Sequence, residues 1–220
     1  MHGLVIFDCD GVLIDSEALS CEVLIEELAR EGIPVDREYV FKECIGHSFP
    51  AVAQKIGASF GRVIPQGFEA RYRETLLRRF DGALQPTPGV RHVLENLAAP
   101  YCIATSSGKE RAECSLAGAG LADPKVPLFT ASMVAHGKPA PDLFLFAAAQ
   151  MGVSPSSCLV LEDSLAGIAA ARAAGMEVWR YRGGGHFDLG FGRDDHDLAH
   201  GHLSRWADFF SAFPHLHRRP

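Results

Sequence analysis

Several classes of protein are missing from this sequence. Its apolar runs are short and broken by charges, so none supplies the ~20 apolar residues that a bilayer-crossing helix needs. The N-terminus has no basic stretch leading into the apolar segment of a signal peptide and goes straight into a strand, so residence in the cytoplasm is expected. Basic charge is in deficit: 21 Lys and Arg against 27 Asp and Glu leave a formal net charge of −6, so neither nucleic acid nor an anionic membrane is expected as a partner. A small anionic substrate must then be drawn by local charges. The six cysteines contain no Cys-x-x-Cys pair. Cys9, Cys102 and Cys158 lie in or beside apolar strand segments, and Cys21, Cys44 and Cys114 in helical ones, so all are expected to be reduced, small core residues. Gly183-Gly184-Gly185 lacks the Gly-x-Gly-x-x-Gly spacing of a dinucleotide loop and is expected to be a mobile turn. There is no internal repeat and no low-complexity tract.

What is present starts at once. Leu4-Val5-Ile6-Phe7 is a run of bulky apolar residues of the kind that forms a strand buried on both faces. It ends in Asp8 and Asp10, with Gly11 after them to let the backbone turn. In open α/β sheets, ligands sit at the carboxyl ends of strands. Two carboxylates placed there raise each other's pKa unless a cation or a proton is shared between them, so a positive group is expected nearby. Taken alone, the pair reads by default as the start of a polar loop.

After Ser16, a candidate helix cap followed by Glu17 in the first turn, Leu19, Val23, Leu24 and Leu28 mark one face of a helix that Gly32 and Pro34 close. Phe49, Val52, Ala53 and Ile56, then Phe68, Tyr72, Leu76 and Phe80, continue with helical spacing. No strand-like alternation appears before Phe80, so residues 16–84 form a helical insertion. Pro86-Thr87-Pro88-Gly89 is the return linker. From there helices and strands alternate, with strands at residues 101–105, 128–130, 158–161 and 178–181. This is the pattern of an α/β, Rossmann-like, doubly wound parallel sheet. The expected domains are a core of 1–15 and 85–220 and a helical cap of 16–84. A terminal helix over 204–213 offers Trp206, Phe209, Phe210 and Phe213 for docking. His196, His200 and His202 are expected to be solvated.

Three further strand ends carry polar groups. Thr105-Ser106-Ser107-Gly108 offers hydroxyls and amides that either cap the next helix or cradle an anion. Gly137-Lys138-Pro139-Ala140-Pro141-Asp142 holds one lysine between two stiff prolines, where a fixed ammonium could neutralise both aspartates and a phosphoryl oxygen. The apolar run 158–161 leads into Glu162 and Asp163, then Ser164 as a cap. A helix N-terminus favours one acid and leaves the second unexplained. Clusters of oxygen ligands of this kind suit magnesium.

Together, Asp-x-Asp-Gly-Val-Leu-x-Asp-Ser, the strand ending in Thr105, Gly-Lys-Pro-x-Pro-Asp and the Glu162-Asp163 pair resemble the four motifs of the haloacid dehalogenase superfamily of phosphatases and phosphomutases. The resemblance covers nearly the whole chain and implies a role for each residue. Asp8 would be the nucleophile, forming a phosphoaspartate, and Asp10 the acid and base. Mg2+ would be held by the Asp8 carboxylate, the Asp10 carbonyl, Glu162 and Asp163. Thr105, the Ser106 amide and Lys138 would hold the phosphoryl oxygens. Dehalogenation is not expected, because dehalogenases lack an acid two residues after the nucleophile.

The insertion corresponds to the family's cap, where substrate choice resides. Gly46-His47-Ser48 looks like its specificity loop, and His47, Lys42, Arg71 and Arg73 are candidates to touch the non-reacting end of the substrate. β-Phosphoglucomutases carry a His where this chain has Ser20 and an Arg where it has Phe49, so the resemblance favours a hydrolase of a sugar phosphate or similar monoester over a mutase. The opening residues also resemble the 6-phosphogluconate phosphatase branch. A phospho-accepting signalling domain is the competing class, and the long insertion and second aspartate argue against it. A monomer acting on a small phosphorylated metabolite is expected.

Overall fold

The computed structural model describes residues 2–188 and 198–218. Six parallel strands are ordered β3-β2-β1-β4-β5-β6: β1 is Leu4–Phe7, β2 Tyr101–Thr105, β3 Leu128–Thr130, β4 Cys158–Glu162, β5 Glu177–Tyr181 and β6 Gly201–Leu203. The helices are α1 (Glu17–Arg30), α2 (Arg37–Glu43), α3 (Phe49–Phe60), α4 (Phe68–Phe80), α5 (Val90–Asn96), α6 (Lys109–Gly118), α7 (Asp142–Gln150), α8 (Leu165–Ala173), α9 (Gly185–Asp188) and α10 (Phe209–Ala212). β1 is central, pairing Val5 with Tyr101 on one side and Leu4 with Cys158 on the other. The chain reverses its direction of travel across the sheet at β1, so the crevice beyond its carboxyl end is where this topology places a ligand.

β1 shows no alternation because both faces are covered. Val5 and Phe7 pack with α5, α6 and the C-terminal segment, while Leu4 and Ile6 pack with α7 and α8. All four are fully buried, each burial contributing about 1.5–3 kcal/mol. The small Ala170 and Ala171 of α8 let that helix lie close on the sheet. Helices α1–α4 carry a cluster of their own, with Leu24, Leu28, Val40, Val52, Ile56 and Phe68. The outgoing and returning connections run side by side: Asp15 N–H donates to the Gln85 carbonyl at 3.0 Å and Thr87 N–H to that of Leu13 at 2.9 Å.

Three expectations change. The stretch from 204 to 213 is not one helix. Gly201–Leu203 adds a sixth strand beside β5, and a 3-10 turn (Trp206–Asp208) and α10 then lay Trp206, Phe209 and Phe213 on the sheet. The triple glycine is packed tightly. A Cβ on Gly183 would meet the Tyr181 hydroxyl at 2.5 Å, one on Gly184 the Gly11 carbonyl at 2.9 Å, and one on Gly185 the Asp15 carboxylate at 2.7 Å. Cys114 is exposed, unlike the other five cysteines. His200 and His202 are exposed as expected, although His200 Nδ1 accepts the Val178 N–H at 3.0 Å and its ring meets Arg172. His202 also has interactions, and His196 lies outside the described residues.

Candidate active site

The acids after β1 stand in a buried cluster. Asp8 is anchored by its N–H, which donates to the Leu161 carbonyl at 3.0 Å. Gly11 then takes φ +78°, a left-handed turn that side chains disfavour, and a Cβ there would lie 2.1 Å from Asp163 Oδ2. Lys138, 1% exposed, donates from Nζ to Asp8 Oδ1 and Glu162 Oε1, both at 2.6 Å, and to the Ala104 carbonyl at 3.1 Å. The expected cation is present, yet it bridges Asp8 and Glu162 rather than the two aspartates. Burial pushes the Asp8 carboxyl up to about 7, against the pull of the Lys138 ammonium. The same two carboxylates raise the Lys138 pKa further above its ordinary value than burial lowers it.

Asp10 has other partners. Ser16 Oγ donates to its Oδ1 at 2.6 Å, Ser107 Oγ to its Oδ2 at 2.7 Å, and Arg111 Nη2 lies 3.3 Å from Oδ1. Burial alone would raise its pKa, but the Arg111 guanidinium and the two hydroxyls outweigh that and hold it below the ordinary carboxylate range. Arg111 also donates to Ser20 Oγ at 3.1 Å. Ser16 is therefore not the side-chain cap of α1 that its position suggests: its hydroxyl serves Asp10.

Asp8, Glu162 and Asp163 each offer an oxygen within 4.8 Å of the others. Asp163 Oδ2 is buried and has no hydrogen-bond partner among the described residues. Burial, then the charges of Glu162, Glu17 and Asp8, push its pKa well above the ordinary value. Glu162 Oε2 is fixed by the Ser164 N–H at 2.7 Å and the Ser164 hydroxyl at 2.9 Å, and that hydroxyl also caps α8 by accepting the Gly167 N–H at 3.1 Å. A Cβ on Gly167 would fall 1.8 Å from Glu162 Oε1, so glycine is the residue that leaves room for this carboxylate. An all-oxygen donor set with an unpartnered buried oxygen fits a hard divalent cation.

Asp8 and Asp10 floor a cavity of about 400 Å3 roofed by residues of α1, α3 and α4 and the 44–50 loop. Thr105 Oγ1 accepts the Ser107 N–H at 3.1 Å, and the Ser106 hydroxyl donates to the Gly46 carbonyl at 2.8 Å, tying the specificity-loop candidate to the second motif. His47 and Arg73 line the cavity. Lys42 is exposed and outside the lining, and Arg71 is engaged on the outer flank by Glu27 and Glu31. These two are brought to no substrate-facing position, because α2 and α4 turn those residues away from the core.

Sequence reasoning missed Arg111, Ser107 and Glu17. Ser107 stands just before the N-cap of α6 and Arg111 in its first turn, and nothing local says that both meet Asp10. Glu17 is 5% exposed and lines the cavity, where burial and then Asp10 raise its pKa well above the ordinary value.

Among the described residues no helix is long and apolar enough to cross a membrane. Residues 2–175 match the family described as haloacid dehalogenase-like hydrolase. The chain is 29% identical over 180 residues to 6-phosphogluconate phosphatase of Escherichia coli (strain K12), covering 80% of this chain and 81% of that one. It is 32% identical over 175 residues to fructose-1-phosphate phosphatase of the same organism, covering 79% and 93%. The crystal structure of a hydrolase from Pseudomonas syringae superposes with a TM-score of 0.85 at 27% identity, covering 98% of this chain and 100% of that one. A parallel sheet in this order, acids at its central strand ends and a match through most of the sequence lead to one assignment: the chain belongs to the haloacid dehalogenase-like hydrolases.

Proposed function

We propose that this hydrolase is a Mg2+-dependent phosphatase that cleaves a small sugar phosphate or similar monoester through a phosphoaspartate on Asp8. What carries the proposal is the convergence of Lys138 Nζ on Asp8 and Glu162 just beneath a cavity that Asp8 and Asp10 line, beside an Asp163 oxygen that accepts no hydrogen bond among the described residues. Asp8, Glu162 and Asp163, with the Asp10 carbonyl, would hold Mg2+, whose charge when bound screens the carboxylate nucleophile from the phosphate.

Asp8 attacks phosphorus and the ester P–O bond breaks, with Lys138 and the Thr105–Ser106 turn stabilising the equatorial oxygens. Asp10 gives a proton to the departing alkoxide. It next takes a proton from the water that attacks the phosphoaspartate, which releases phosphate and restores Asp8. Arg111, Ser16 and Ser107 favour the ionised Asp10 that this second step needs, and an incoming phosphate adds the negative charge that raises its proton affinity for the first.

Both named relatives act on a phosphate carried by a terminal carbon of a hydroxylated chain, which makes such esters the first substrates to try. A mutase would need a second cationic phosphate site in the cap. Here Phe49 stacks with Phe68 and Tyr72, and Ser20 serves Arg111.

The test is steady release of phosphate from p-nitrophenyl phosphate, 6-phosphogluconate and fructose 1-phosphate with Mg2+ and with EDTA. Many turnovers per chain are expected with Mg2+ only, and none in a folded Asp8→Asn variant. Substantial turnover in that variant, or one stoichiometric phosphorylation without turnover, refutes the reading.

A further inference from the structure

The tightly packed glycines after β5 deliver His186 to the site. Its side chain is 4% exposed, and its Nε2 lies 3.3 Å from Asp163 Oδ2, near the carboxylate oxygen that lacks a hydrogen-bond partner. The ring stacks on Phe41 of α2, with centroids 5.8 Å apart and planes 14° from parallel, and lies 4.2 Å from the Phe187 ring. Two neighbouring contacts fix the turn: Gly185 N–H donates to Asp15 Oδ1 at 3.1 Å, and Arg180 Nε donates to the Asp163 carbonyl at 2.9 Å. A side chain at Gly184 would also strike the His186 ring, at 2.9 Å. The backbone, two aromatic rings and the hinge acid thus combine to hold one imidazole against one carboxylate.

Resting on the metal reading above, we propose that His186 is a positioning residue for the divalent-cation site, its ring wedged between Phe41 of the helical cap and the Asp163 carboxylate, with Nε2 3.3 Å from Oδ2 to limit where that carboxylate can turn. His186 is not itself a ligand, since its nitrogens fall outside the group of three carboxylates that can share an ion. A neutral imidazole carries an N–H on one ring nitrogen, so it can face a carboxylate without adding a charge to the site. Groups just outside a metal's ligands often set affinity by orienting them, typically by 10- to 100-fold.

The experiment measures Mn2+ affinity of the full chain by electron paramagnetic resonance of free Mn2+, with Mg2+ competition, beside a thermal melt. His186→Phe keeps the stack on Phe41 and removes both nitrogens. Its Kd is expected to rise about tenfold, with His186→Gln, whose amide can reach Asp163, lying between it and the wild type. Wild-type affinity in His186→Phe overturns the proposal, and if that variant does not fold, wild-type affinity in His186→Ala does so. A wild-type chain that takes up no Mn2+ sinks the metal reading and this inference with it, whereas a wild type that binds beside an equally tight His186→Phe sinks the inference alone.

Discussion

Arg71 separates a substrate contact from a strut. Its Nε donates to Glu27 Oε2 at 3.0 Å, a second nitrogen reaches Glu31, and the guanidinium lies over Phe68. Glu27 is fully buried and also accepts Arg30 and, at 3.0 Å, the Thr75 hydroxyl. Replacing Glu27 by Gln preserves shape but removes the charge and turns one accepting oxygen into an NH2 donor, so the two arginine ion pairs are lost and the bonds on one of the two oxygens cannot form, a loss of about 1 kcal/mol for each of the three contacts. The Arg30 and Arg71 side chains are 58% and 42% exposed, and water recovers much of their share. The net loss expected is about 1.5–2 kcal/mol, or a fall of roughly 4–6 °C in Tm for a chain of this size. The sign with pH follows from the pKa. Hydrogen bonds from Arg71 and Thr75, with the two arginine charges, outweigh burial and lower the Glu27 pKa. The wild-type advantage is therefore complete above the unfolded value of about 4.3 and disappears as pH falls through the lower folded value. Urea melts at neutral and acid pH measure this, with p-nitrophenyl phosphate kinetics alongside. Arg71→Ala should change kcat/KM less than about twofold, because Arg71 does not line the cavity. A tenfold loss of kcat/KM in Arg71→Ala with an unchanged Tm, or a Glu27→Gln variant as stable as wild type at neutral pH, refutes the strut.

Lys138→Met should abolish turnover and cost about 3–5 kcal/mol by leaving Asp8 and Glu162 unpaired in a buried site, as a denaturant titration would reveal. Wild-type stability would mean that the lysine does not hold this pair in solution. Gly167→Ala forces Glu162 to move, because the new carbon falls 1.8 Å from Oε1. A severalfold rise in the Mg2+ concentration for half-maximal rate is expected, and an unchanged Mg2+ profile contradicts the fit. Arg73→Ala should raise KM for a sugar phosphate more than it lowers kcat, whereas Lys42→Ala should change neither, since only Arg73 lines the cavity.

The strand ends were legible because each pairs a both-face-buried apolar run with a polar stop, and both features are local. Asp8, Glu162 and Asp163 stand at such stops, Lys138 is marked instead by the prolines that follow it, and the four meet in space. The partners of Asp10 were not legible. Arg111 reaches it from 101 residues away, and only the pairing of β1 with β2 brings α6 to that point. The cap candidates divide for a related reason. Helical spacing assigns Arg71 and Arg73 to different faces of α4, but which face meets the core depends on how four helices pack together, and no single helix encodes that.

Two serines at helix starts show how fine the remaining distinction is. Ser164 has ψ 148°, the extended geometry that aims a side-chain oxygen at the helix amides, and it caps α8. Ser16 has ψ −15°, already helical, which turns its hydroxyl away from those amides and onto Asp10. The same residue type in the same sequence position is a cap in one place and a carboxylate donor in the other. The difference arises from the Asp15–Gln85 and Thr87–Leu13 hydrogen bonds, which hold the outgoing strand end beside the returning linker and so fix the backbone before the helix begins. A short-range rule could not separate the two, since the deciding contacts join residues about seventy positions apart. Asp10 is thus oriented by the side-by-side packing of the two connections as well as by its neighbours in sequence.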